Sequence, residues 1–446
     1  MEKKKKEQSI EFAVVHPHGA GIDIGSREIF VSIDGEQVDV FNTFTSGYLA
    51  CCRYLKENGI VSVAMEATGV YWMSLYEILE EGGIRVCLVH PREVQQVKGR
   101  KTDVQDCRWI QKLYAAGLLR ESIVAEGLCK ELRMQVRERA DLTGMGATYV
   151  NKMQKYLELM NIKLKNVTSQ VHGKSGLRVI RAILEGGRDA EKLLPLCHER
   201  IREKKTEALA KALEGNCNKQ YLRLPEINLR LWEAHQRSVQ EVEKLTGELL
   251  DQMCKGLDGM DVDSRACPAR HHNPDIGDLH GKQVRLFGGT NLCTIAGIND
   301  STGLRILAEI GPDVRRFPTS KHFTGWLGLS PMNKQSGKMK RRVRAPKGNC
   351  AGEIFRQAAQ ALSTGKHNAT GAFIRRLKGR KGAQVAVKAG ARKIAIAVYN
   401  ALAFGMDYVE QGAIRYQEQF AQKERDLLHK LARKYNFNLI GNQAAG

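Results

Sequence analysis

Lys101-Thr102-Asp103-Val104-Gln105-Asp106 opens a run that continues Cys107-Arg108-Trp109-Ile110-Gln111-Lys112-Leu113-Tyr114-Ala115-Ala116, and the rest of the chain falls into order around it. Trp109, Ile110, Leu113 and Ala116 recur at helical spacing. This spacing predicts a helix with Asp103 and Asp106 on neighbouring turns, roughly 5–6 Å apart at Cβ. Like charges that close repel unless a cation lies between them, so the pair points to a divalent metal. Taken alone, the pair has a simpler explanation, because Thr102 suits an N-cap and both acids favour a helix N-terminus. The residues upstream decide between the two.

Gly19-Ala20-Gly21-Ile22-Asp23-Ile24-Gly25-Ser26 is followed by Ile29-Phe30-Val31-Ser32-Ile33 and Val38-Asp39-Val40-Phe41. Short β-branched runs separated by glycine-containing turns predict a three-stranded antiparallel meander. Asp23 lies inside the first strand, flanked by apolar residues, where a carboxylate calls for a partner. A helix over 46–58, with Leu49, Cys52, Tyr54 and Leu55 on or near its apolar side, leads to a fourth strand, Val61-Ser62-Val63-Ala64-Met65. Glu66 falls at the C-terminal end of that strand. A helix over 70–79, a fifth strand over 84–89 and the acid-bearing helix complete the order β-β-β-α-β-α-β-α. Such an order suits a mixed sheet whose first and fourth strands are neighbours, with the last helix packed across them. Asp23, Glu66, Asp103 and Asp106 would then converge. Four carboxylates without a histidine suit hard, oxygen-liganded cations, Mg2+ or Mn2+, and two such ions could clamp the attacking and leaving oxygens of a phosphodiester. Lys98, Arg100 and Lys101 would hold phosphates beside them.

At 446 residues the chain is long enough for two or three domains. Its 70 Lys and Arg against 49 Asp and Glu leave a net charge of +21, an excess that favours a polyanionic partner, and nucleic acid leads. No apolar run approaches a membrane span, and no signal-type apolar core follows the Lys-rich start, so a soluble, intracellular (cytoplasmic) protein is expected. The 11 cysteines are scattered without a C-x-x-C pair, which reads as reduced thiols. Cys254, Cys267, His271, His272, His280 and Cys293 could in principle supply zinc, but their spacings match no standard finger.

From about 128 to 164, charged residues alternate with periodic Leu, Met and Val, and a second such region runs from 190 to 250, interrupted near Pro225. Together they predict a long antiparallel helical arm of coiled-coil style, a dimerisation or nucleic-acid grip or simply a solvated spacer. Residues 255–289 lose periodicity and gather Gly, Pro, Asp and His, which predicts a linker. Thr294-Ile295-Ala296-Gly297-Ile298-Asn299-Asp300 then enters a helix to Ile310, resembling a helix-hairpin-helix whose amides could receive a phosphate. Another helix is expected over 321–329. Residues 331–348 carry seven bases and no acid around Gln335-Ser336-Gly337-Lys338, which on physics alone suits a flexible phosphate-binding loop with Ser336 as one donor. Helices are expected over 351–362, 367–377 and 383–404. Eight further bases lie within 375–393, a second phosphate-facing surface, and an amphipathic helix is expected over 413–436.

Gly21-Ile22-Asp23-Ile24-Gly25, Met65-Glu66-Ala67-Thr68-Gly69, Lys101-Thr102-Asp103-Val104-Gln105-Asp106, the 295–331 block, and Gln335-Ser336-Gly337-Lys338 followed by a basic loop and Lys347-Gly348-Asn349 resemble a known family across most of the chain. It is the transposases of insertion-sequence family one-hundred-ten (IS110), the bridge-RNA-guided recombinases. The resemblance implies a RuvC-like, RNase H-fold domain over 1–125 and a C-terminal serine transposase domain over 291–410, to which the residue pattern adds a helical coiled-coil arm over 126–254, a linker or exposed loop over 255–290 and a helical tail over 411–446. It implies that Asp23, Glu66, Asp103 and Asp106 hold Mg2+ (or Mn2+), two ions and no organic cofactor, and that Ser336 attacks DNA to give a phosphoserine link. It further implies donor and target DNA, a non-coding bridge RNA whose base pairing selects sequence, and homo-oligomers, dimers assembling into a tetramer. Lys338, Lys340, Arg341, Arg342, Arg344 and Lys347 would then join Lys98, Arg100 and Lys101 in binding nucleic acid. Two rival readings are a RuvC-like junction nuclease that uses water as nucleophile, and a non-catalytic RNA-binding scaffold.

Overall fold

The computed structural model describes residues 13–94, 102–125, 127–168, 170–187, 189–215, 219–257, 259, 273–331, 333–336, 339–342, 349–365, 368–407, 422 and 425–437; at 92–93, 204–205, 219, 333–336 and 339–342 it describes the backbone alone. The chain divides into two compact units, Met1–Val124 and Ala125–Gly446.

The first unit is built on a five-stranded sheet of order β3-β2-β1-β4-β5, with β1 Gly19–Ile24, β2 Glu28–Ser32, β3 Asp39–Asn42, β4 Ser62–Glu66 and β5 Arg85–Val89. The meander β1-β2-β3 is antiparallel, whereas β4 lies parallel to β1 and β5 parallel to β4. The first and fourth strands are thus neighbours, as the element order led one to expect. Alternate strand residues face opposite sides. Ala20, Ile22, Ile24, Val63, Met65, Val86 and Leu88 pack with Cys51, Leu55, Leu75 and Leu79 of helices α1 (Thr45–Glu57) and α2 (Trp72–Glu81). Cys51 rather than Leu49 anchors α1, and Leu49 is half exposed. Beyond β5 comes the single turn α3 (Pro91–Val94), then α4 (Asp103–Ala115), which covers the opposite face over Ala64, Cys87 and Val89.

The seating of α4 corrects the expected stripe. Its buried residues are Cys107, Ile110, Gln111 and Tyr114, while Trp109, Leu113 and Ala116 are half-buried. The cause lies in β1: a Cβ at Gly21 would stand 2.3 Å from the Gln111 nitrogen and 2.6 Å from the Cys107 carbonyl oxygen. Helix backbone therefore lies directly on strand backbone. Gln111 tolerates burial there because its Nε2 donates to the carbonyls of Gly19 (3.2 Å) and Ile33 (3.3 Å).

In the second unit, α5 (Leu128–Leu159) is followed by short helices α6 (Leu164–Val167), α7 (Lys174–Leu184), α8 (Ala190–Leu193) and α9 (Glu199–Leu213), then by α10 (Lys219–Cys254). The pairs Arg139–Glu243 and Tyr149–His235 show that α5 and α10 run antiparallel. The second periodic region differs from expectation in two ways. Its first part folds into α8 and α9 against a local core of Met153, Leu157, Val179, Ile183 and Leu209, and α10 continues through Pro225. Proline removes one backbone donor, which a 36-residue helix with a packed face can absorb.

The expected linker contains a helix, α11 (Leu279–Leu286), with Leu279, Lys282, Gln283 and Val284 buried. Eight residues with polar groups on the buried side give too little periodicity to be read from sequence. After the 3-10 turn Leu292–Thr294 come α12 (Asp300–Ile310), α13 (Ser320–Trp326), a hairpin of β6 (Asn333–Ser336) and β7 (Met339–Arg342), then α14 (Cys350–Thr364), α15 (Ala369–Lys381) and α16 (Ala383–Phe404). Phe317, Phe323, Trp326 and Tyr399 cluster among these helices, and the Tyr399 hydroxyl donates to the Phe317 carbonyl at 2.8 Å. Residues 425–434 are helical, while the rest of the expected tail helix, apart from Gln422, Tyr435 and Asn436, lies outside the described residues. No helix among the described residues is long and apolar enough to cross a membrane.

Candidate active site

Three elements carry the four acids. β1 and β4 pair in parallel with Ile22 opposite Met65, and one further step in that register sets Asp23 beside Glu66. Adjacent strands lie about 4.8 Å apart, so the two carboxylates are neighbours at the C-terminal ends of their strands. Both point to the α4 face, since Gly21 and Ala64, two residues back, contact α4 or pack in its core. Along β1, Gly19 lies against Tyr114 whereas Gly21 lies against Cys107 and Gln111. The helix therefore descends as the strand ascends, and its first turn, with Asp103 and Asp106, reaches the level of Asp23.

That first turn is fixed by Thr102, whose hydroxyl accepts from the Gln105 amide at 3.3 Å. The cap thus leaves both Asp103 and Asp106 in the first turn of α4. Cys107 registers the charge around it: burial first, then Asp23 and to a lesser degree Asp106, against Arg108, together push its thiol up to about 12. Glu66 accepts from the Thr68 hydroxyl at 2.8 Å, which gives the Thr68 of the Met65-Glu66-Ala67-Thr68-Gly69 motif a positioning part.

Asp103 is exposed, and Asp23, Glu66 and Asp106 are half-buried, so all four are open to a hydrated ion. An all-carboxylate donor set on one face fits a hard divalent cation. Among the described residues, no three of the four bring one oxygen each within 4.8 Å of one another. Mutual repulsion favours that spread.

In the second unit, Ser336 ends β6 and pairs with Met339 across the hairpin, Gln335 pairs with Lys340, and Lys334 with Arg341. A paired hairpin thus stands where a flexible loop was expected. Of Ser336, Lys340, Arg341 and Arg342 the backbone alone is described, and Lys98, Arg100, Lys101, Lys338, Arg344 and Lys347 lie outside the described residues, as do Cys267, His271 and His272. Asn349, which closes the Lys347-Gly348-Asn349 motif, caps α14: its Oδ1 accepts from the Gly352 amide at 2.8 Å and its Nδ2 donates to the Trp326 carbonyl at 3.2 Å.

Sequence reasoning missed one grouping outright and the third member of another. Arg133 and Arg137 of α5 meet Glu309 of α12, with Arg137 bidentate at 2.7 and 2.8 Å. His280, Cys293 and Asp300 bring one potential ligand atom each within 4.8 Å of one another. Arg133, Arg137 and Glu309 leave no signature in local spacing because they join elements far apart in the chain, whereas His280 and Cys293 stood among the possible zinc donors and Asp300, 20 residues from His280, is the member that the sequence did not suggest.

Residues 20–162 match a family model described as Transposase, the DEDD type of IS110, and residues 289–373 match one described as Transposase IS116/IS110/IS902 family. Together the two stretches span about half of the chain. No curated protein matches it.

Proposed function

The chain belongs to the IS110 family of transposases and is a DNA transposase, and from that premise we propose that it cuts and rejoins DNA through Ser336, with Mg2+ or Mn2+ held by Asp23, Glu66, Asp103 and Asp106. The observation that carries this reading is the register of β1 on β4 together with the seat of α4 on Gly21, which gather the four acids at one end of one face. A DEDD-type transposase domain points to dependence on a divalent metal. When bound, the metal would supply Lewis-acid stabilisation of a phosphodiester and lower the pKa of an oxygen nucleophile.

In the proposed reaction the Ser336 hydroxyl loses its proton and its oxygen bonds to phosphorus. The phosphorus–oxygen bond to the adjoining nucleotide breaks, and the departing sugar oxygen takes up a proton. Rejoining reverses the exchange: a free hydroxyl of the other strand attacks the phosphoserine and restores the serine. Lys98, Arg100, Lys101, Lys338, Lys340, Arg341, Arg342, Arg344 and Lys347 would hold phosphates, which suits a chain of net charge +21. We further assign target choice to base pairing with a non-coding bridge RNA, the protein contacting mainly backbones, in dimers that assemble into a tetramer on donor and target DNA. The carboxylate-bearing sheet domain over 1–125 and the serine-bearing helical domain over 291–410 would be the two catalytic parts.

The test is to quench reactions on donor and target DNA with denaturant. Protein should be covalently attached to DNA, and Ser336→Ala should give no adduct. Nicked ends free of protein, persisting in Ser336→Ala, would instead identify a junction nuclease that uses water.

A further inference from the structure

Away from the four carboxylates, three side chains of a different chemistry meet in the second unit. His280 lies on α11, Cys293 in the 3-10 turn Leu292–Thr294, and Asp300 is the first residue of α12. His280 Nδ1 stands 2.7 Å from Asp300 Oδ1, and the Cys293 thiol donates to the same oxygen at 3.1 Å. The His280 and Asp300 side chains are only 13% and 12% exposed. The backbone around them is fixed: Gln283 Nε2 donates to the Asp300 carbonyl at 2.8 Å, Asn299 accepts from the Thr302 amide at 2.8 Å, and Asn291 accepts from the Cys293 amide at 3.0 Å.

We propose that His280, Cys293 and Asp300 form a zinc site. Nitrogen, sulfur and carboxylate oxygen from three elements are the mixed donor set that zinc takes, and a thiolate selects against Mg2+. Both hydrogen-bond donors aim their protons at one desolvated carboxylate oxygen, which is where a divalent cation would take their place. Zinc binding releases the thiol proton to solvent, and His280, ligating through Nδ1, carries its proton on Nε2. Tetrahedral zinc with bonds of about 2.0–2.3 Å spaces its donors about 3.3–3.6 Å apart, so the cluster opens by about half an ångström to admit it. Three protein donors leave a fourth position for water. The site ties α11, the 3-10 turn and α12 together at the start of the second family match, and its binding energy adds to folding. It belongs to the second unit and differs in chemistry from the carboxylate centre proposed in the first.

The experiment loads the full-length protein with Zn2+ and, in parallel, with Co2+. Stoichiometric zinc should survive gel filtration, and cobalt should show a thiolate-to-metal charge-transfer band. Cys293→Ser should abolish the band and weaken zinc binding by more than about 100-fold, above the 10–100-fold cost of losing an outer-shell partner. Cys350→Ser, at an exposed cysteine, should change neither. Should Cys293→Ser fail to fold, alkylation of the unaltered protein decides: saturating zinc should slow labelling of Cys293 at least about tenfold and leave Cys350 unaffected. A band that persists in Cys293→Ser, or a Cys293 labelled equally fast with and without zinc, overturns the proposal and leaves the cluster a hydrogen-bonded clasp at the start of α12.

Discussion

A missing methyl group at position 21 decides how close α4 comes to the sheet. Any Cβ there would press on the Gln111 nitrogen and the Cys107 carbonyl, both backbone atoms that cannot rotate away. Gly21→Ala should therefore lift α4, cost about 1–3 kcal/mol or more in urea unfolding, and weaken divalent-metal binding by moving Asp103 and Asp106 away from Asp23. Unchanged stability would mean that the helix is not seated as described. Cys107, beneath the same helix, gives a pH-dependent counterpart. Its thiol is raised to about 12, first by burial, against about 8.5 in an unfolded chain. The folded state thus keeps a proton that the unfolded state sheds. The resulting stability is intact below about pH 8.5 and is lost as pH rises from there toward about 12. Urea midpoints measured from about pH 8 to about pH 11 should fall more steeply for the wild type than for Cys107→Ala.

At the level of elements, Glu309 clips α12 to α5. Its carboxylate is 11% exposed, and it faces Arg133 at 19% and Arg137 at 50%. Burial pulls Arg133 below the usual guanidinium range, while the hydrogen bonds that Arg137 donates to Glu309 raise Arg137. Glu309→Gln would leave Arg133 with the carbonyls of Ala308 and Glu309 but no counter-charge. Discounted for the exposure of Arg137, the loss should be about 2–3 kcal/mol by denaturant titration. Elements were legible in the sequence where side chains carry the pattern. Glycine and β-branched runs marked β1, β2 and β4, and acids at strand ends made the neighbourhood of β1 and β4 readable. The buried stripe of α4 was misplaced because backbone proximity at Gly21, rather than hydrophobicity, chooses its face, which is how Gln111 comes to be buried. The β6–β7 hairpin was invisible because Asn333 to Ser336 and Met339 to Arg342 pair through their backbones with almost no apolar alternation. His280 and Cys293 were legible as possible zinc donors but Asp300 was not, since only the packing of α11 on α12 makes the three neighbours.

On the scale of the whole molecule, the two longest basic runs and the proposed metal ligands have different addresses. The excess of positive charge includes the basic runs of 331–348 and 375–393, neither of which contains an acid, while the four proposed metal ligands lie within Met1–Val124. Apart from Lys98, Arg100 and Lys101 next to Asp103, attraction of polyanions and binding of cations are thereby kept apart in sequence. The family resemblance read from Asp23, Glu66, Asp103, Asp106 and the block that follows residue 295 agrees with the two family matches. The central claim is that those four acids work as one metal-binding set. Its most direct test is a Mg2+ titration of strand cleavage by the full-length protein and by Asp23→Asn, Glu66→Gln, Asp103→Asn and Asp106→Asn. Cleavage should require the metal and fall by at least about 100-fold in every variant, with higher Mg2+ restoring part of it; cleavage that proceeds in chelator, or that all four variants support at the wild-type rate, would contradict the account.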